Sequence, residues 1–206
     1  MISPSDVEFE NKAKNMLQRV IEWATKHMIG KEVAGGCLRR KLAAMSFSLS
    51  IDFISGISIL TTFCQRSSAM ALHRSVIEAY LRGFWLAYVA DEDSIQKFST
   101  GQLTKTAKPL AAAIKKKGLQ DKCKLLSTER ILSHLDELTH GGIRHMALRD
   151  AGNEYVKTNH VASSAQLLVL CATYLVYLVE ISYLVAFEDD KLAEEAYEEG
   201  RMLLHL

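Results

Sequence analysis

Apolar residues along this chain recur at intervals of three and four rather than two, the spacing that gathers them on one face of an α-helix. The first run, Met16, Leu17, Val20, Ile21 and Ala24, predicts a helix with Ser3 as N-cap and Pro4 in the first helical position, reaching Met28 and closed by Gly30. From Lys31 to Phe63 the pattern reads as one kinked helix or two, because Gly35 and Gly36 weaken its start and Ser55 with Gly56 its middle. A central helix follows, capped by Ser67 or Ser68 and ending near Asp91. Shorter helices are expected over the Asp91 to Phe98 stretch, from Pro109 to Gly118, and from Ser127 or Thr128 to Leu138. Gly141 and Gly142 interrupt the pattern before a short helix near Arg149, a long apolar helix runs from Thr158 or Asn159 to Phe187, and an amphipathic tail ends the chain.

Only two prolines occur, Pro4 and Pro109, and no pair of alternating apolar runs is joined by an Asn-Gly or Asp-Gly turn, so a sheet has no support. The expected fold class is therefore all-α, an up-and-down bundle of about five to seven helices in a single domain spanning residues 1–206.

Charge changes this picture little. Lys and Arg number 25 against 24 Asp and Glu, a net charge of +1, so strong non-specific attraction to nucleic acid or an anionic membrane is not expected of the whole surface. Cys37, Cys64, Cys123 and Cys171 stand singly, as reduced thiols do, and are read as small core residues. With no signal-peptide pattern at the N-terminus, the expected location is cytoplasmic. The stretch long enough to span a bilayer is Leu167 to Ala186, but Gln166, Thr173, Tyr177 and Glu180 form a polar seam along it, which favours a soluble bundle over a membrane span.

Candidate chemistry lies in two places. On the central helix Arg74, Glu78 and Arg82 follow one another at four-residue steps, a band about 80° wide that Trp85 continues. Asp52 and Glu180, lone carboxylates on two other apolar helices, are the natural partners if that band is enclosed, giving a structural charge network of Asp52, Glu78 and Glu180 with the arginines. If it faces a cleft, Arg74 and Arg82 are phosphate or carboxylate ligands oriented by Glu78. The second place is the turn Thr139, His140, Gly141, Gly142, followed by Arg144, His145 and Arg149. Its glycines can expose backbone N–H groups to an anion and its histidines and arginines can supply a base and phosphate clamps, or it is simply a helix-to-helix turn. Glu137 with His140 gives one Glu-x-x-His unit, and no second exists for a di-iron site, so no metal or cofactor is expected; nucleotide-binding and hydrolase motifs are missing too.

The block Ser68, Ala69, Leu72, Arg74, Glu78, Ala79, Arg82, Gly83, Trp85 and Leu86, followed by Thr139, His140, Gly142 and Arg149, resembles an uncharacterised family of bacterial all-helical proteins similar to the HEPN superfamily. About a quarter of the chain carries the resemblance. It implies a homodimer and a metal-independent ribonuclease or toxin of a conflict or defence system, acting on RNA or held by an antitoxin-like protein. His140 and Arg149 would be catalytic, and Arg74, Arg82, Arg144 and His145 would contact phosphate. Arg66 and His73 also have the superfamily's Arg-to-His spacing, one that arises by chance often enough to carry little weight. The alternative is a non-catalytic helical module that binds a protein partner or a small anionic ligand.

Overall fold

The structure is a computed structural model that describes residues 4–125 and 161–205. Those residues form an all-α bundle, with no strand among them: α1 (Pro4–Met28), α2 (Leu38–Thr62), α3 (Arg66–Tyr88), α4 (Glu92–Ser99), α5 (Ala107–Lys116), α6 (Val161–Ser182) and α7 (Asp190–Met202). A 3₁₀ turn, Ala34–Gly36, leads into α2, and a π-helical turn, Tyr183–Phe187, extends α6. The core is one apolar cluster to which α1, α2, α3 and α6 all contribute, with Leu17, Phe47, Phe84 and Leu175 fully enclosed or nearly so.

Helices α2 and α3 pack antiparallel over most of their length. Phe47 lies against Gly83, Ser50 Oγ donates to the Val76 carbonyl at 2.9 Å, and Gly56 lies against Leu72, so one register runs up as the other runs down. Gly83 makes the closeness possible, since a Cβ there would stand 2.5 Å from the Phe47 ring. Helix α6 runs alongside α1, and α7 folds back against it so that Tyr177 stacks on Tyr197 with ring centroids 6.2 Å apart.

Several boundaries differ from the sequence expectation. α2 continues through Ser55 and Gly56 without a break, because Gly56 serves the approach of Leu72 rather than a kink. α3 begins at Arg66 and ends at Tyr88; Asp91 belongs to the next element, capping α4 by accepting from the Ser94 N–H at 2.8 Å. α5 starts at Ala107, so Pro109 sits within the first turn, where its missing N–H is not needed. Cys123 and Cys171 are buried as expected, but Cys37 and Cys64 are exposed because they occupy helix boundaries, Cys64 with a left-handed φ of 58°. Among the described residues two helices, not one, are long and apolar enough to cross a membrane: Leu38–Thr62 and Ser163–Phe187.

Candidate functional site

The Arg74, Glu78, Arg82 band forms along α3 as a ladder. Glu78 accepts from Arg82 Nη2 at 2.8 Å, and Arg74 Nε stands 3.8 Å from its other oxygen. All three side chains are about one-fifth exposed, at 17, 21 and 23 % in chain order. A carboxylate between two guanidiniums fixes their rotamers. Arg82 brings its guanidinium to the wall of an open groove of about 460 Å³, which α2 lines with Leu42, Met45, Ser46, Ser48, Leu49 and Asp52 and α4 with Phe98. Such a site can hold an anionic group against Arg82 while an apolar portion of the same ligand rests on the leucines, Met45 and Phe98.

The single charge network expected from Asp52, Glu78 and Glu180 is not what folds. Asp52 is exposed on the groove, because it lies two positions from both Ser50 and Ile54, which are buried, and so points about 160° away from the packed face of α2. Glu180 is paired elsewhere: both its oxygens accept from Lys124 Nζ, at 2.8 and 2.5 Å, and that ammonium also sits 3.7 Å from the Tyr197 ring centroid. Trp85 leaves the band for the interior, being 4 % exposed, with Lys105 Nζ 5.5 Å from its ring.

Arg66 and His73 are both held in structural roles. Glu10 accepts from Arg66 Nε and Nη2, each at 2.7 Å, deep between α1 and α3. Burial is the largest single influence and works against the Glu10 carboxylate, yet the Arg66 hydrogen bonds together with its other polar and charged neighbours, Lys14 among them, outweigh it and hold its pKa below the usual value. His73 stacks on Tyr174, its Nε2 3.4 Å from the hydroxyl, and burial pushes its pKa down to about 4, leaving a neutral imidazole at pH 7. The Glu10 pairing was open to sequence reasoning: Glu10 is a carboxylate that falls in line with the apolar stripe of Ala13, Leu17 and Val20. The Lys124 cage has no comparable local signal. Glu137, Thr139, His140, Gly141, Gly142, Arg144, His145 and Arg149 lie outside the described residues. Among the residues that are described, no group of three or more His, Cys, Asp or Glu side chains is placed to hold a metal ion.

Fold and groove together define a class: an all-helical bundle with an arginine ladder at the mouth of an amphipathic groove. The residues from 47 to 188, more than half of the chain and including α3 with its whole ladder, match the family of unknown function DUF6988, and the chain belongs to that family. No curated protein and no solved structure matches it.

Proposed function

We propose that the α2–α3 face is an anion-recognition surface and that its ligand is RNA, in a HEPN-like protein of a bacterial conflict or defence system. The observation that carries this reading is the position of Arg82: Glu78 orients it, yet it opens onto a groove instead of being sealed in the core. A guanidinium kept only for helix register has no need of an open wall. In this reading the chemistry falls to His140 as the base and Arg149 as the phosphate clamp, as the resemblance implies, with no metal required.

A second reading is a non-catalytic module for a protein partner. The groove lining favours it, since Leu42, Met45, Leu49 and Phe98 are apolar and suit a side-chain anchor as well as a nucleotide base.

The test is incubation of the purified chain with single-stranded RNA in excess EDTA, scored for binding by anisotropy and for cleavage on a gel. The RNA reading expects binding that weakens about tenfold in Arg82→Ala, the loss of one charge-assisted contact, and cleavage that disappears in His140→Ala. Binding untouched by Arg82→Ala removes the groove from the account. Binding without cleavage leaves recognition and rejects the nuclease. No binding at all favours the protein-partner module.

A further inference from the structure

The Lys124 ammonium rests in a socket that three side chains build from two helices. Tyr177 and Glu180 stand one turn apart on α6 and so face the same way, and Tyr197 of α7 lies against Tyr177 with the ring planes 21° from parallel. Lys124 Nζ sits 3.7 Å from the centre of the Tyr197 ring and 5.0 Å from that of Tyr177, and it donates to both oxygens of Glu180. Neither helix supplies this cation, since Lys124 belongs to the stretch that follows α5. The socket is shaped by other contacts. Ala193, Ala196 and Gly200 bury one face of α7, with Gly200 so close to Trp23 that a Cβ would stand 2.7 Å from the ring, and this packing brings the two tyrosines together. What the socket needs from outside is charge. A carboxylate beside two aromatic rings, with 17 % of its surface in water, requires a positive partner, and the lysine that answers it is 33 % exposed, so the socket opens to solvent.

We propose that Tyr177, Tyr197 and Glu180 form a binding site for primary alkylammonium compounds, and that Lys124 is the tethered occupant with which such a compound competes. The electron-rich ring faces attract the charge and the methylene next to it, whichever molecule carries them. Glu180 selects the kind of cation. It takes two hydrogen bonds from one nitrogen, which a primary ammonium can give and a quaternary one, having no N–H, cannot. Glu194, exposed on α7 one turn before Tyr197, adds a carboxylate on the same side of that helix and suits the second amine of an aliphatic diamine. The tether sets the threshold: a lysine held on the same chain acts at an effective concentration on the order of millimolar, so a free amine displaces it only above that level. Entry of a ligand lifts Lys124 from α6 and α7, which couples the site to the hold on the stretch after α5.

The socket shares no residue with the α2–α3 groove, so it stands apart from RNA recognition. Lys124→Ala empties it. n-Butylammonium chloride at ten times its dissociation constant should then raise the thermal midpoint of this variant by roughly 3–6 °C over equal sodium chloride. n-Butanol and tetramethylammonium should give no such gain, and the gain should vanish when Tyr197→Leu is added. A second measurement uses the wild-type chain and decides the matter even where Lys124→Ala fails to fold. Amide hydrogen exchange over residues 117–125 should quicken about tenfold, the loss of one charge-assisted contact, when 1,4-diaminobutane well above millimolar replaces sodium chloride of equal ionic strength. A variant that gains no more from n-butylammonium than from sodium chloride, a gain that survives Tyr197→Leu, or wild-type exchange equal in diamine and in salt would each overturn the proposal.

Discussion

Helices α2 and α6 are alike by composition and unlike by situation. Both pass the length and apolarity needed to cross a membrane, but two-thirds of the most apolar window of α6 is buried inside the bundle, 67 %, against 33 % for α2. α6 is walled by α1, α7 and parts of α2 and α3, so its apolar side chains are spent on the core. α2 commits one stripe, with Phe47, Ser50 and Ile54, to α3 and leaves Met45, Leu49 and Ile59 on an exposed outer stripe. The difference shows that apolarity alone does not distinguish an enclosed helix from one with an exposed apolar stripe; what distinguishes them is whether the described residues supply a neighbour for each stripe.

This contrast has consequences for stability. The largest effect is expected from truncating the enclosed helix: Leu175→Ala on α6, at a fully buried position, should cost about 2–5 kcal/mol in urea unfolding, from lost transfer energy and the cavity left behind. Ile59→Ala on the outer stripe of α2 should cost about 0.5 kcal/mol or less, as exposed positions do. Equal costs at the two sites would erase the distinction between the helices.

A smaller effect sharpens the same contrast through pH. His73 is pressed between α3 and Tyr174 of α6, and its pKa falls from 6.5 to about 4 on burial. The unfolded chain therefore binds a proton that the folded chain refuses throughout that interval. Stability is undiminished above about pH 6.5 and declines as pH falls toward 4, by up to roughly 3 kcal/mol from this group. Unfolding midpoints measured across the interval should lose most of their slope in His73→Phe. Glu10, whose pKa is depressed, adds its own loss only at lower pH, below the ordinary carboxylate value of 4.5. A slope unchanged by His73→Phe would mean that the imidazole is not enclosed.

The helices themselves were legible because each carries a long periodic stripe, and Gly30, with its left-handed φ, closes α1 as an end signal should; the expected cap, Ser3, lies outside the described residues. Their ends were less legible where two neighbouring residues competed for one role, as Asp91 did between closing α3 and capping α4. The ladder was visible as a stripe, since i and i+4 charges on a helix meet whatever surrounds them. Its partners were not: which cation answers Glu180 and which way Asp52 points depend on helix packing, and local spacing does not carry that information. The second stripe of α2 went unread for a related reason. Its inner and outer repeats interleave, so the helix looks apolar all round until the position of α3 separates them.

Met45 and Met202 offer the most direct measurement, because both are 66 % exposed, one on the outer stripe of α2 and one at the end of α7. Methionine oxidation by a brief hydroxyl-radical pulse, read by mass spectrometry with increasing single-stranded RNA, compares the two within one chain. If RNA occupies the groove that Met45 lines, both methionines oxidise alike in the free chain, and Met45 alone becomes protected as RNA is added. Met45 and Met202 oxidising in parallel at every RNA concentration would contradict it.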